Sequence, residues 1–190
     1  MCTYGGDSVK ALVLTGMAGA GKTEFANYCT SLSIPVFQMG DIVRSRVSQL
    51  KLEPTGTNIG RVASVERLKY GSDIWARRTA RNVKNGDRDC VIDGTRSEAE
   101  VAYFRQYFGM NAVVVNIYAS SRIRYERLKS RARSDTPLTR GEFEERDRRE
   151  LGWGLGNAIA LSDMVLGNEG TMDEFRKNIM NLLREAGFIK

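Results

Sequence analysis

Five short segments rich in apolar and β-branched residues recur along the chain, and longer segments with helical periodicity separate them. The strand-like segments cover residues 9–15, 35–39, 90–92, 111–118 and 163–168. The fourth is apolar with little alternation, which is typical of a parallel strand buried on both faces. Strands that alternate with helices predict a three-layer α/β fold, in which a five-stranded parallel sheet lies between two layers of helices.

Helical patterns fill the intervals between the strands. Helices are predicted from the first glycine-rich turn to about residue 32 and over residues 41–50, 59–69, 71–84, 97–108, 121–131, 139–151 and 172–185. Asp41 is the expected N-cap of the second helix. The apolar positions of that helix share one face and comprise Ile42, Val43, Val47 and Leu50. Trp75 is expected in the core, and residues 153–157 are expected to form a flexible break.

Length and composition are those of one globular domain over residues 1–190, with 42% hydrophobic and 27% charged residues. The sequence contains no apolar run of membrane-spanning length, and its first residues lack the layout of a signal peptide, so a cytoplasmic location is expected. Three scattered cysteines show no metal-binding spacing. The chain has no histidine, so a general base would be a carboxylate, a lysine, a tyrosine or the substrate itself.

The net charge of +6 allows two interpretations, a nucleic-acid surface or a cleft for a highly anionic small ligand. The arginines are concentrated in residues 122–149, where carboxylates are interleaved with them. Aromatic residues do not alternate with these basic residues, as they do on surfaces that stack single-stranded nucleic acid. The pattern therefore favours the small anionic ligand over nucleic acid.

The most specific motif follows the first strand and fits G-x-x-x-x-G-K-[ST] with no mismatch. Its eight residues are Gly16, Met17, Ala18, Gly19, Ala20, Gly21, Lys22 and Thr23. The glycines let successive backbone N–H groups point at phosphate oxygens, and the following helix adds its positive N-terminal end. Lys22 would bring a charge to the outer phosphates, and the Thr23 hydroxyl would ligate Mg²⁺. The alternative, a chance glycine-rich turn, does not account for the strand before it and the helix after it.

Two further clusters follow predicted strands. Asp41 and Arg44 come after the second strand, and Asp93, Gly94 and Arg96 come after the third. The carboxyl ends of strands are where open α/β sheets build their sites. Arg44 and Arg96 would hold an acceptor phosphate, Gly94 would allow a ligand to approach closely, and Asp93 would orient Mg²⁺ through water. The alternatives are a helix cap, a solvated charge and an ordinary Asp-Gly turn.

Two helical regions complete the predicted site. Residues 41–85 form a helical excursion between two strands, in which an acceptor-binding region is expected. Residues 121–151 form an arginine-rich helix pair, which is either a lid or a solvated, salt-bridged element. The lid candidates lie where the chain turns between the two helices, and they are Arg127, Arg131 and Arg133.

The motifs together resemble known kinases. Residues 40–44 are similar to the Gly-Asp-x-x-Arg motif of adenylate kinases, and residues 93–96 to their Asp-Gly-x-Pro-Arg motif without the proline. Over residues 9–186 the chain resembles an archaeal family of adenylate-kinase-related proteins. The matching segments are 16–22, 39–44, 92–96, 130–135, 145–150 and the Asn-Glu-Gly at 168–170. The phosphate loop and the last segment are also similar to those of dephospho-coenzyme A kinases.

The resemblance implies a role for each matching residue. Residues 16–23 would bind the phosphates of ATP, and Asn168 and Gly170 would lie against its adenine. Arg44 and Arg96, with Asp41 beside them, would bind the acceptor, and Asp93 would support Mg²⁺. The catalytic group would comprise Lys22, Arg127, Arg131, Arg133 and Asp41.

The leading hypothesis is phosphoryl transfer from ATP and Mg²⁺ to a small phosphate-bearing acceptor, with a nucleoside monophosphate as the first candidate. A second hypothesis makes the acceptor the ribose hydroxyl of dephospho-coenzyme A, with Asp41 as the general base. A third makes the protein a P-loop ATPase or switch associated with nucleic acid. A monomer or homodimer without membrane partners is expected.

Overall fold

The structure is a computed structural model that describes residues 9–83, 89–130 and 139–189. Its five strands form one sheet in the order β2-β3-β1-β4-β5, and every neighbouring pair is parallel. The strands are β1 (Ala11–Thr15), β2 (Val36–Gln38), β3 (Cys90–Asp93), β4 (Ala112–Tyr118) and β5 (Met164–Gly167). This architecture confirms the predicted α/β fold with a five-stranded parallel sheet.

Nine α-helices lie in the described residues. They are α1 (Lys22–Ser31), α2 (Met39–Gln49), α3 (Gly56–Tyr70), α4 (Ile74–Ala80), α5 (Glu98–Phe108), α6 (Ser121–Lys129), α7 (Arg140–Gly152), α8 (Leu155–Ala160) and α9 (Met172–Glu185). Two apolar clusters separate them into layers. One cluster packs α2, α3, α4, α5 and α8 on one face of the sheet, and the other packs α1 and α9 on the opposite face.

Alternate residues of β1 contribute side chains to the two apolar clusters on opposite faces of the sheet. Ala11 and Val13 belong to the first cluster, whereas Leu12 and Leu14 belong to the second, and all four are fully buried. Side chains of a strand alternate between its two faces, so a central strand covered on both sides must be apolar at every position. The uninterrupted apolar pattern of β1 therefore follows from its central place in the sheet.

The helical excursion packs around Trp75, which is fully buried as expected. Its indole Nε1 donates a hydrogen bond to the carbonyl of Ala63 on α3, at 3.3 Å. This contact joins α3 and α4, and it fixes the wall that α3 contributes to the cleft described below.

Two local predictions were wrong. Helix α2 begins at Met39 with Gln38 as its N-cap, so Asp41 lies in the first turn instead of capping it. The earlier start buries the Met39 side chain, which is 1% exposed, and leaves Asp41 beside the positive end of the helix. The expected break at 153–157 is instead the start of α8, which follows Gly154 at φ 95° and buries Leu155 and Ala158. Packing supplies the stability that so short a helix lacks alone.

We expect Trp75→Ala to lower the free energy of unfolding by about 3–5 kcal/mol, because the substitution leaves a large cavity between α3 and α4. Urea denaturation followed by circular dichroism measures the change. Leu68→Ala is the matched control on α3, since Leu68 is 89% exposed, and its effect should stay within about 0.5 kcal/mol. Equal effects of the two substitutions would contradict the packing described here.

Candidate phosphate-binding site

The loop between β1 and α1 closes tightly over the carboxyl edge of the sheet. Gly16 has φ 126°, and a Cβ atom there would lie 2.3 Å from the Ile117 carbonyl oxygen. Gly21 is the N-cap of α1 in the left-handed conformation, and no side chain caps this helix end. Any other residue at these two positions would clash or strain the backbone. The first N–H groups of α1 are therefore left for a ligand, and this arrangement suits an anion.

Lys22 is the first residue of α1, and its side chain extends back into the loop. Its Nζ atom donates hydrogen bonds to the carbonyl oxygens of Gly16, at 2.5 Å, and Met17, at 3.0 Å. Burial lowers the pKa of Lys22 to about 8, although the carboxylate of Asp93 opposes this shift. A phosphate in the loop would favour the charged amine, because it supplies a stronger opposite charge.

Asp93 ends β3 next to the loop and is only 9% exposed. Its Oδ1 atom is buried without a hydrogen-bond partner among the described residues. Burial raises the pKa of Asp93, while the charges of Lys22 and Arg96 counteract the rise. An unpartnered carboxylate oxygen and the hydroxyl of Thr23, which lines the same cleft, are suitable ligands for a hydrated Mg²⁺. The residues present therefore fit this ion.

Arg44 and Arg96 come together where β3 meets the start of α2. A Cβ atom on Gly94 would lie 3.8 Å from the Gly40 backbone nitrogen and 3.7 Å from the Nη1 atom of Arg96. A Cβ atom on Gly40 would lie 3.4 Å from the guanidinium nitrogens of Arg44. The two glycines therefore let both guanidinium groups approach one part of the cleft.

Asp41 does not line this cleft with the other predicted residues. Its carboxylate pairs with Arg44 at 2.5 Å, and its side chain is 61% exposed. A general base must lie within hydrogen-bonding reach of the proton that it removes. Asp41 is therefore an exposed partner of Arg44, and of the two predicted carboxylates Asp93 is the one that lines the cleft.

Arg127 lies beside β5 and the phosphate loop. Its guanidinium donates to the carbonyl oxygen of Asn168 at 3.0 Å and to Asn168 Oδ1 at 3.2 Å. The Asn168 amide in turn donates to the carbonyl of Ala20 at 2.8 Å. Asn168 therefore joins the end of β5 to the loop, next to a shallow groove that Gly170 also lines. The other two predicted lid residues, Arg131 and Arg133, lie outside the described residues.

Arg124, in the arginine-rich helix pair, is a buried residue with structural contacts. It is 5% exposed and forms a bidentate ion pair with Asp147 of α7, at 2.9 and 2.6 Å. The same guanidinium donates to the carbonyl of Ala18 in the loop, at 3.0 Å. The contact fixes α6 and α7 against the phosphate loop.

Sequence reasoning missed the residues that form the far wall of the cleft. The cleft has a volume of about 150 Å³, and α3, α7 and the turn after α7 supply this wall. The missed residues are Gly60, Ala63, Arg67, Arg146, Arg149, Glu150 and Trp153. The Glu-Arg-Asp-x-Arg-Glu segment at 145–150 marks this helix, but its alternating charges are also typical of a solvent-exposed surface.

Glu150 is the buried anion of this wall, at 2% exposure. It forms ion pairs with Arg96 at 3.5 Å and Arg146 at 3.2 Å. Burial alone would raise the pKa of Glu150, but the charges of Arg96 and Arg146 outweigh it and lower the pKa to about 2. Glu150 therefore stays ionised near neutral pH and holds two guanidinium groups at the cleft.

A second buried carboxylate, Glu100, is fully buried on α5. It accepts hydrogen bonds from Arg67 Nη2 at 2.9 Å and from the backbone N–H of Arg96 at 2.7 Å. Buried charges are tolerated when they are paired and hydrogen-bonded. Glu100 and Glu150 thus fix three arginines along one side of the cleft.

The part of the chain that the structure describes contains no group of three or more cysteine, aspartate or glutamate residues placed to hold a metal ion on their own. Within the same residues, every helix is too short or too polar to cross a membrane.

Known proteins are similar to this chain over most of its length. The AAA domain family matches residues 12–150. A UPF0200 protein from Hyperthermus butylicus is 42% identical over 90% of this chain and 92% of its own length. A second UPF0200 protein, from Thermoplasma acidophilum, is also 42% identical, over 92% and 95% of the two chains.

Solved structures show the same fold at low sequence identity. TT1252 from Thermus thermophilus matches with a TM-score of 0.64 and 17% identity, over 94% of this chain and 98% of that one. A shikimate kinase from Bacteroides thetaiotaomicron matches with a TM-score of 0.60 and 14% identity, over 94% and 98%. A dephospho-CoA kinase from Campylobacter jejuni matches with a TM-score of 0.52 and 13% identity, over 93% and 97%.

We expect Glu150→Gln to destabilise the protein by about 3 kcal/mol near pH 6, because the depressed pKa of Glu150 represents ion pairing that is lost. A carboxylate whose pKa is lower in the folded protein than in the unfolded chain stabilises the fold fully when the pH is above the unfolded pKa. The stabilisation disappears as the pH falls from about 4.5 to about 2. Urea denaturation should therefore show the difference between the two proteins narrow to about 1 kcal/mol at pH 3.

Glu144→Gln is the control for this measurement, since Glu144 is half exposed on the same helix in an ion pair with Arg140. Its effect should stay below about 1 kcal/mol at both pH values. A constant difference between wild type and Glu150→Gln across this pH range would contradict the buried ion pairs.

Proposed function

We infer that this chain, which belongs to the UPF0200 family and contains the AAA domain, is an ATP-dependent phosphotransferase that acts on a small anionic acceptor. One observation carries the proposal. Lys22 of the phosphate loop, Asp93 at the end of β3 and Arg96 beyond it line the same cleft. The loop supplies an anion site on one side, and a second group of guanidiniums faces it across the space. Such a cleft suits the reacting phosphate groups of a donor and an acceptor.

The donor would be ATP, bound through residues 16–23. Three positive-φ glycines and the uncapped start of α1 support phosphate binding in this loop. Asn168 and Gly170 would meet the nucleoside part, with Arg127 beside them, because these residues flank the loop at the end of β5. Thr23 and Asp93 would hold Mg²⁺, which would neutralise negative charge on the phosphates.

The acceptor would be a nucleoside monophosphate or a similar phosphate ester, held by Arg44 and Arg96. A phosphate oxygen is already an adequate nucleophile, which agrees with a chain that has no histidine. The residues of the cleft would then act by holding the two phosphates in line and by neutralising negative charge. Lys22, Arg96 and Arg146 line the cleft and would neutralise the negative charge of the phosphates.

A hydroxyl acceptor is the second candidate, and Asp93 is the observation that favours it. A hydroxyl benefits from a general base, and a buried carboxylate with a raised pKa and one unpartnered oxygen suits that role. Kinases named for shikimate and dephospho-CoA share this fold. The association with nucleic acid is the weakest of the three hypotheses, because many arginines of the described residues already pair with carboxylates, which leaves fewer of them to contact a phosphate backbone.

We expect ATP-dependent release of ADP to be stimulated by one acceptor class. A coupled assay with Mg²⁺ would compare AMP, CMP, UMP, GMP, dephospho-coenzyme A and no acceptor. ³¹P NMR of the product separates a new diphosphate from a new phosphate ester. Lys22→Ala should lower the stimulated rate by about 100-fold or more, because charge stabilisation in the loop is lost. Turnover that no acceptor stimulates would refute the proposal.

Asp41→Asn tests the revised role of that residue in the same assay. We expect less than about a fivefold change, since an exposed group that orients Arg44 is worth little more than a surface ion pair. Loss of a general base would lower the rate by about 10²–10⁴. A loss of that size in a folded variant would restore Asp41 as the base.

We also expect ATP binding above pH 8 to be coupled to proton uptake. The pKa of Lys22 is lowered to about 8 in the free protein, so the amine is largely neutral above that pH and must be protonated again when phosphate binds. Calorimetry at pH 8.5 in two buffers of different ionisation enthalpy should give uptake of up to about one proton. Lys22→Arg is the control, because arginine keeps its charge, and equal uptake in both proteins would contradict the expectation.

A further inference from the structure

Charge pairing separates one arginine of the cleft from the others. Arg44 pairs with Asp41 and Arg67 with Glu100, while Arg96 and Arg146 share Glu150. Arg149 also lines the cleft, yet it forms no ion pair with any residue that the structure describes. Its Nε atom is buried and lacks a hydrogen-bond partner within the same residues. A half-buried guanidinium without a counter-charge is costly unless a ligand supplies one.

The fold makes room for this side chain at a specific place. Gly60 is buried in the second turn of α3, where glycine costs helical stability relative to alanine. A Cβ atom on Gly60 would lie 2.8 Å from both Cζ and Nε of Arg149. The guanidinium therefore occupies the space that any larger residue at position 60 would fill, and α3 holds it in the cleft wall.

Trp153, one turn after Arg149, completes the surroundings. The indole Nε1 donates to Ser64 Oγ at 3.0 Å, which fixes the ring between α3 and the end of α7. The Arg67 guanidinium lies 4.5 Å from the ring centroid, and the Arg149 guanidinium lies 6.0 Å from it. A fixed aromatic wall keeps water away from the cations and strengthens their attraction to an anion.

We propose that Arg149 binds a second anionic group of the acceptor, a carboxylate or a phosphate distinct from the group that is phosphorylated. The proposal rests on the proposed function and narrows its substrate class. Arg44 and Arg96, near the end of β3, hold the reacting end of the acceptor. Arg149 lies on the wall formed by α3 and α7 and holds its other end. The acceptor is therefore a small molecule with two acidic groups.

Binding measurements test this inference without any turnover. Saturating magnesium and a non-hydrolysable ATP analogue first fill the donor site. Calorimetry then compares two pairs of probes: 3-phosphoglycerate with glycerol 3-phosphate, and adenosine 3′,5′-bisphosphate with AMP. In at least one pair the probe with two anionic groups should bind about tenfold more tightly, as expected for a hydrogen-bonded charge pair. Absence of any preference in both pairs would overturn the inference.

Substitutions at three positions assign the preference to Arg149. Arg149→Met should abolish it, while Arg148→Met, at an exposed neighbour on the same helix, should leave it unchanged. Gly60→Ala keeps the arginine but displaces its guanidinium, so it should also reduce the preference about tenfold. A preference that survives in Arg149→Met would overturn the assignment.

Thermal unfolding of the ligand-free protein gives a readout that does not depend on the probes. Arg149→Met removes an uncompensated cation, so its Tm should rise by about 2–4 °C. A fall in Tm would show that Arg149 is a structural ion-pair residue and would overturn the inference.

The two proposals can also fail separately. Absence of phosphoryl transfer with a retained preference refutes only the function, whereas transfer to a probe with two anionic groups at an unchanged KM in Arg149→Met refutes only the role of Arg149.

Discussion

Repulsion between like charges is the constraint on which this cleft depends. Six cationic side chains line it, one from the phosphate loop and five from α2, α3, α7 and the segment after β3. Guanidinium groups gathered at short range in a poorly hydrated space repel one another strongly. Glu100 and Glu150 offset that repulsion, because each is buried and pairs with an arginine from another segment of the chain, and Glu150 also pairs with Arg146 of its own helix. The cleft can therefore hold a net positive charge and still be folded.

Close backbone packing provides the second condition. The loop can bring its N–H groups to a phosphate only because Gly16, Gly19 and Gly21 adopt conformations that other residues avoid and lie against β4, α6 and Asn168. The same device recurs at Gly94 and Gly40, where β3 and α2 approach each other, and at Gly60, where Arg149 fits against α3. Glycines thus occupy the positions at which backbone segments or charged side chains approach each other closely.

Local features of the sequence accounted for much of the fold. The apolar segments predicted all five strands, because a central parallel strand is buried on both faces and leaves a continuous apolar pattern. Helix α9 begins at Met172, as predicted, and the structure shows Thr171 as its N-cap, in a capping box with Glu174 three residues later. The errors at Asp41 and at residues 153–157 share one cause. Burial of Met39 and Leu155 decides where α2 and α8 begin, and single-residue preferences at the helix ends do not report it.

The sequence by itself determined the phosphate loop, since its function depends on backbone geometry within eight consecutive residues and on the strand and helix that flank them. It also determined that Asp93 and Arg96 follow a buried strand. Only the tertiary structure decided which of the many arginines belong to the cleft. Arg124 and Arg149 lie in similar charged patterns, yet the first pairs with Asp147 under the loop and the second faces the cleft beside Gly60. Their partners lie on other helices, so the periodicity of the segment that contains them carries no information about either contact.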